Sequence, residues 1–204
     1  MEEMDKVQAV KLFSKHTFKE DHLPPPTDYL DLSYRAVSAV GRLPLALKII
    51  GSHLHGKHKD EWEQSIHTLS RIPQKDVQKK LRLSYDSLDY RAQQIFLDIA
   101  CFFNKEKINA MYMWEACNFH PESALGDLLS MSLVKIIDGK FLMHDQLRDL
   151  GRDLVCIEDF IDHGRRSRLW QHKEASAVLR RAEGTKKFKR SVYLKMPFVL
   201  DMEN

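Results

Sequence analysis

"LVKIIDGKFLMHDQL", Leu133 to Leu147, decides how the chain is read. Two β-prone runs flank Asp138-Gly139, a dipeptide that tolerates the positive φ angles of a type I′ turn, so the spacing predicts a two-residue hairpin. The second run ends at His144 and Asp145. "DQLRDLGRDLVCIEDFI" then returns to helical spacing, with Leu147, Leu150, Leu154 and Ile157 on one face. Upstream lie further helical patterns, and helices followed by a hairpin and another helix describe a winged-helix domain. The fold class expected is mainly α: a helical bundle followed by a winged-helix domain with one β-hairpin.

Working back from the hairpin, "PESALGDLLSMS" and "KINAMYMWEACNF" read as helices. Before them "DYRAQQIFLDIACFF" has Asp89 as N-cap and places Ile95, Phe96, Ile99, Ala100 and Phe103 so that the helix is apolar nearly all round. Such a helix belongs at the centre of its domain. "DVQKKLRLSYDSL" spaces Val77, Leu81 and Tyr85 four apart. The first 70 residues or so are punctuated helices. "MDKVQAVKLFSKHTF" lines up Val7, Val10, Lys11 and Ser14, and the prolines of "HLPPPTD" break it. Asp28 is the expected cap of "YLDLSYRAVSAV", Gly41 its stop, Pro44 the first turn of "PLALKIIGSHLH", and Asp60 the cap of "DEWEQSIHTLSRI". The expected division is a helical subdomain over 1–72, a winged helix over 73–162, and a basic linker over 163–204.

Composition sets the class. Hydrophobic residues make up 43% of the 204 and charged residues 30%, ordinary for a soluble globular chain. A chain of this size buries roughly 70% of its unfolded surface, so its core needs no covalent staples. Cys101, Cys117 and Cys156 are odd in number and lack CxxC spacing, which predicts reduced thiols in a cytosolic setting. No run reaches the 18 or so apolar residues of a membrane span, because Asp98 interrupts the richest one. The acidic start "MEEMDK" has no apolar secretory core. The net charge of +3 conceals an asymmetry: Arg165 to Lys195 holds eleven Lys or Arg and two acids, leaving a net acidic body. Such a segment can bind nucleic acid or a membrane surface, or dock on an acidic neighbour.

Several chemistries fail on spacing. "GSHLHGKH", Gly51 to His58, resembles a phosphate loop but ends in His where a hydroxyl must bind Mg²⁺, and it closes a helix instead of opening one. His53, His55 and His58 contain no i,i+4 pair for a metal. The helix before the hairpin would enter the major groove in a DNA-binding relative, yet it has no Lys or Arg and carries Glu122 and Asp127, so a nucleic-acid role is disfavoured. For His144 and Asp145, catalysis lacks a nucleophile and zinc lacks further spaced ligands. Two readings stay open. Asp145 caps the last helix, or a neutral imidazole beside a helix N-terminus donates to an anionic oxygen.

Three ordered stretches resemble one family. "GRLPLAL" (Gly41–Leu47), "FLDIACFF" (Phe96–Phe103) and "FLMHD" (Phe141–Asp145) are similar to motifs of plant intracellular immune receptors of the TIR-type nucleotide-binding, leucine-rich-repeat family. "RRSRLW" and "EGTKKFKRSVYLKM" resemble the passage into the first repeats. The resemblance implies the ARC1 and winged-helix (ARC2) portion of a molecular switch, closed with ADP and opened by exchange for ATP. Carried over by position, Pro44 would pack near the adenine end, His144 would contact the β-phosphate, and Asp145 would orient that histidine. The TIR domain, phosphate loop and Mg²⁺ site would lie upstream of Met1 and the repeats downstream. ADP binding by this chain alone is therefore expected to be weak or absent, and no enzymatic activity is expected. The implied partners are the upstream nucleotide domain and the repeats, or a full-length receptor bound by the chain as an adaptor or decoy. The implied location is cytoplasmic or nuclear, without a membrane.

Overall fold

The computed structural model describes residues 4–19, 25–73, 76–102, 107–116, 119 and 121–181. Phe103, Cys117, Pro24 of the proline run and the β-prone "RSVYLKM" lie outside the described residues. Among the described residues the chain is mainly α, with ten α-helices and one two-stranded hairpin. These are α1 (Lys6–Phe18), α2 (Leu30–Val40), α3 (Pro44–Leu54), α4 (Lys59–Ser70), α5 (Val77–Asp86), α6 (Tyr90–Cys101), α7 (Lys107–Ala116), α8 (Pro121–Ser130), α9 (Asp145–Glu158) and α10 (His172–Arg181). The strands are β1 (Lys135–Ile137) and β2 (Lys140–Leu142). The chain forms two compact units, Met1–Leu88 with Asp127–Leu133, and Asp89–Gly126 with Val134–Asn204. Helix α5 thus lies with the first unit, where the expected division had assigned it to the second.

In the first unit α1, α2, α3 and α4 close around Phe13, Leu32, Ala36, Leu47, Ile50, Trp62 and Leu69. The indole of Trp62 meets Phe13 edge-on at 5.9 Å and stacks on Phe18 at 6.0 Å between ring centroids. The inward face of α1 is Ala9, Val10, Phe13, Ser14 and Thr17. Val10 and Ser14 of the expected line, and Phe13, which with Leu12 was expected to widen its apolar side, are on that face, whereas Val7 and Lys11 point to solvent. Close approach explains Gly51: a Cβ there would sit 2.9 Å from the Phe13 carbonyl oxygen, so only glycine lets α3 lie this near α1.

In the second unit α6 is the central element, buried at Ala92 and from Ile95 through Cys101. Its N-cap is Asp89, whose carboxylate accepts from Ala92 N at 2.7 Å. The hairpin has the predicted register, Ile137 paired with Lys140, and its tip residues Asp138 and Gly139 both have positive φ, at 51° and 71°. Phe141 on β2 turns inward to Trp114, with ring centroids 5.8 Å apart, while its neighbours Lys140 and Leu142 face water. Helix α9 buries Leu147, Leu150, Gly151 and Val155, so its inward face passes through Val155, and Ile157 is left exposed.

Three predicted caps sit elsewhere. Asp28 lies inside a short 3₁₀ turn (Thr27–Tyr29) ahead of α2. His58, not Asp60, precedes α4, and the Glu61 carboxylate accepts from His58 N at 3.1 Å. His144, not Asp145, is the N-cap of α9. In each case the cap falls one or two residues from the acid; at α9 the acceptor is an imidazole nitrogen, which serves an N-cap as an acidic oxygen would.

The α6–α9 crossing yields a test. A Cβ at Gly151 would lie 2.5 Å from that of Ala100, whereas nothing lies within 4 Å of one at Gly126 in α8. Gly151→Ala should therefore cost roughly 1–3 kcal/mol by overpacking. Gly126→Ala should be neutral or add up to about 1 kcal/mol of helix propensity. Urea unfolding of both variants checks this, and equal effects would contradict the crossing.

Candidate functional site

The FLMHD stretch places its histidine at the junction of β2 and α9. Phe141 anchors it in the core, with none of its surface exposed, and β2 ends at Leu142. His144 then adopts extended backbone, φ −64° and ψ 143°, and its Nδ1 accepts from the Gln146 backbone N–H at 3.2 Å. That hydrogen bond fixes more than the helix start. A neutral ring that accepts at Nδ1 carries its proton on Nε2, so the exposed imidazole keeps a free-facing donor beside the N-terminus of a 14-residue helix. The first N–H groups of a helix also favour negative charge.

Asp145 does something different from the expectation. It is the first helical residue, and its carboxylate pairs with the Arg148 guanidinium one turn on. It therefore helps hold the first turn of α9, and the orientation of the His144 ring comes from Gln146 N–H.

Pro44 belongs to the other unit. It occupies the first position of α3, where its missing N–H costs nothing, and its ring is exposed and not part of the core. The turn before it is built by Gly41, at φ 84°, which closes α2. A residue that pattern reading missed supports this turn. Lys80 of α5 is wholly buried, and its Nζ donates to the Val40 carbonyl at 2.8 Å, satisfying the C-terminal end of α2. Burial pushes the Lys80 pKa down. Sequence spacing gave no sign of it, because Lys80 sits between Val77 and Leu81 as an ordinary helical lysine.

The histidine cluster at the end of α3 resolves into a directed chain. Ser87 Oγ donates to the Ser84 carbonyl at 2.8 Å, so His53 Nδ1–H donates to Ser87 Oγ (3.2 Å) and His53 Nε2 accepts from Lys57 Nζ (2.9 Å). Burial, with Lys57 adding to it, lowers the His53 pKa to about 4. His55 Nδ1 donates to the Thr17 carbonyl at 2.6 Å, tying the end of α3 to α1. Among the described residues no group of three or more His, Cys, Asp or Glu is arranged to hold a metal.

In α8 the exposed positions include Glu122 and Asp127 and no cation. Cys101 is buried and Cys156 partly so, both as free thiols. No helix among the described residues is long and apolar enough to cross a membrane.

With this geometry in hand, residues 89–158 match the winged-helix domain of Roq1-like disease resistance proteins. The chain is 36% identical over 180 residues to TMV resistance protein N of Nicotiana glutinosa, covering 87% of this chain and 15% of that protein. It is 34% identical over 180 residues to disease resistance protein RPV1 of Vitis rotundifolia, covering 88% and 13%. It is 32% identical over 179 residues to disease resistance protein RPP4 of Arabidopsis thaliana, covering 87% and 15%. The chain belongs to the plant TIR-type nucleotide-binding, leucine-rich-repeat disease resistance proteins. The chain spans about a seventh of the length of these family members and is the part that carries the winged helix.

The His53 chain predicts acid sensitivity. Its folded pKa, about 4, lies below the ordinary value of 6.5, so the unfolded state binds a proton that the folded state refuses between those limits. The contribution is complete above pH 6.5 and is lost progressively as pH falls to about 4, up to roughly 3 kcal/mol. The urea midpoint of the wild type should fall more steeply than that of His53→Gln over this window. Parallel profiles would contradict the neutral, buried His53.

Proposed function

We propose that this chain is the ARC1 and winged-helix half of an ADP-dependent switch in plant immune signalling, a regulatory clamp without catalysis. The observation that carries the reading is the hydrogen bond from the Gln146 backbone N–H to His144 Nδ1, at 3.2 Å. With Nδ1 so used, the neutral ring keeps its proton on Nε2 as a donor at the head of α9. A terminal phosphate oxygen is the acceptor that both this donor and the helix end favour. Pro44 lies in the exposed "GRLPLAL" turn, where the family resemblance puts the adenine contact. The similarity to named disease resistance proteins supports the immune setting.

On this reading the phosphate cradle and Mg²⁺ site belong to a neighbouring nucleotide domain, and this chain senses the bound nucleotide. ADP favours the state in which His144 reaches the β-phosphate, and a ligand shifts an equilibrium only by its difference in affinity for the two states. The partners are that nucleotide domain and leucine-rich repeats, in the cytoplasm or nucleus.

His144→Ser separates sensing from folding, since serine also caps a helix but cannot reach as far. In a receptor that carries its nucleotide domain, calorimetry should show ADP affinity falling roughly ten- to a hundredfold, the loss of one charge-assisted hydrogen bond. Thermal stability without nucleotide should stay at the wild-type value. Unchanged ADP affinity would overturn the clamp.

A further inference from the structure

The family match ends at Glu158, but the second unit continues. Beyond Glu158 the chain folds back on itself through polar contacts. Asp159 Oδ1 accepts from Ile161 N and Asp162 N at 3.0 and 2.8 Å, and Asp162 Oδ1 accepts from Gly164 N at 2.9 Å. Arg166 Nε donates to the Asp159 carbonyl at 2.7 Å. Ser167 gives both its backbone N–H and its hydroxyl to the Glu158 carboxylate, at 2.6 and 2.7 Å.

The deepest contact is Arg168. Its guanidinium is buried, with Nε on Asp98 Oδ1 at 2.7 Å and Nη2 on the Gln94 carbonyl and side-chain oxygen at 2.9 and 3.0 Å. Nη1 reaches back to Ser167 Oγ at 2.9 Å. The other Asp98 oxygen takes the Trp114 indole N–H at 2.9 Å. Three elements, α6, α7 and the segment after α9, therefore meet on one carboxylate. Apolar anchoring of the segment is slight by comparison: Leu169 is buried, but Phe160 and Ile161 are exposed, the latter by 96%. A segment held mainly by directional polar contacts, the deepest of them the Arg168–Asp98 pair, is held in a single register, because such contacts select geometry more than they add stability. It is also released as a unit, since a half-broken buried pair strands a charge.

We propose that residues 159–170 form a releasable strap on the winged helix, with Arg168 as its fastener and Asp98 as the receiver, and that this strap sets where the chain beyond Trp170 leaves the domain. The inference is independent of nucleotide binding. It makes "RRSRLW" part of the winged-helix body, where the sequence suggested a basic linker.

Hydrogen exchange on the full 204-residue chain tests it, with trypsin cleavage after Arg165 and Arg166 as a second readout. In Arg168→Met, exchange across 159–170 should rise on the order of tenfold or more while the interior of α6 stays near its wild-type rate. Arg168→Lys should fall between, because a single ammonium keeps Asp98 but cannot fork onto Gln94. Glu158→Gln weakens only the Ser167 contacts and leaves no buried charge, so it carries the test if Arg168→Met does not fold, and a smaller rise confined to 159–170 is expected. Equal acceleration in α6 and the strap, or wild-type exchange at 159–170 in the variants that fold, would overturn the proposal.

Discussion

The carboxylate of Asp98 is the constraint around which the second unit is arranged. It sits within the buried run Ile95–Cys101 of α6, and a charge there needs a cation and donors. Trp114 and Arg168 supply them from α7 and from the chain beyond α9. The position of Trp114, which also meets Phe141, and the route of the chain after Glu158 are both tied to that one group. On the opposite side of α6, Gly151 and Ala100 allow α9 to approach closely, and Arg152 Nε donates to the Ala100 carbonyl at 3.2 Å.

That arrangement puts the histidine where it can act. Phe141 is locked in the core three residues before His144, so β2 and the start of α9 have little freedom between them. The imidazole is used twice. One nitrogen ends the orphaned N–H row of a helix, and the other remains a donor. A serine or aspartate cap would start the helix as well but would leave no donor at that reach, which is a physical reason for histidine at this position.

Much of the fold was legible in the sequence because it depends on local chemistry. Asp-Gly demanded a tight turn, Asp89 and Pro44 opened helices, Gly41 closed one, and the apolar run from Ile95 to Ala100 identified the central helix. What the sequence left obscure depends on contacts far apart along the chain. Lys80 and Arg168 look like surface cations in a one-dimensional pattern, and their partners are 40 and 70 residues away. Asp98 was visible as a break in an apolar run, and the demand it makes for a buried cation was the available signal for Arg168. At α4 and α9 the nearby Asp60 and Asp145 read as caps ahead of His58 and His144, because acidic side chains are the commoner acceptors. His144 and Asp145 were recognised as a pair, but their division of labour, one capping and the other paired to Arg148, required geometry.

The central claim is that His144 reads a nucleotide's phosphate through Nε2–H while its Nδ1 caps α9. The most direct measurement is the ¹⁵N spectrum of His144 in a receptor that includes its nucleotide domain, recorded with ADP and with adenosine. ADP should shift the Nε2 resonance and leave Nδ1 with its unprotonated signature, and adenosine should move neither. Equal perturbation by the two ligands, or none by either, would contradict the account.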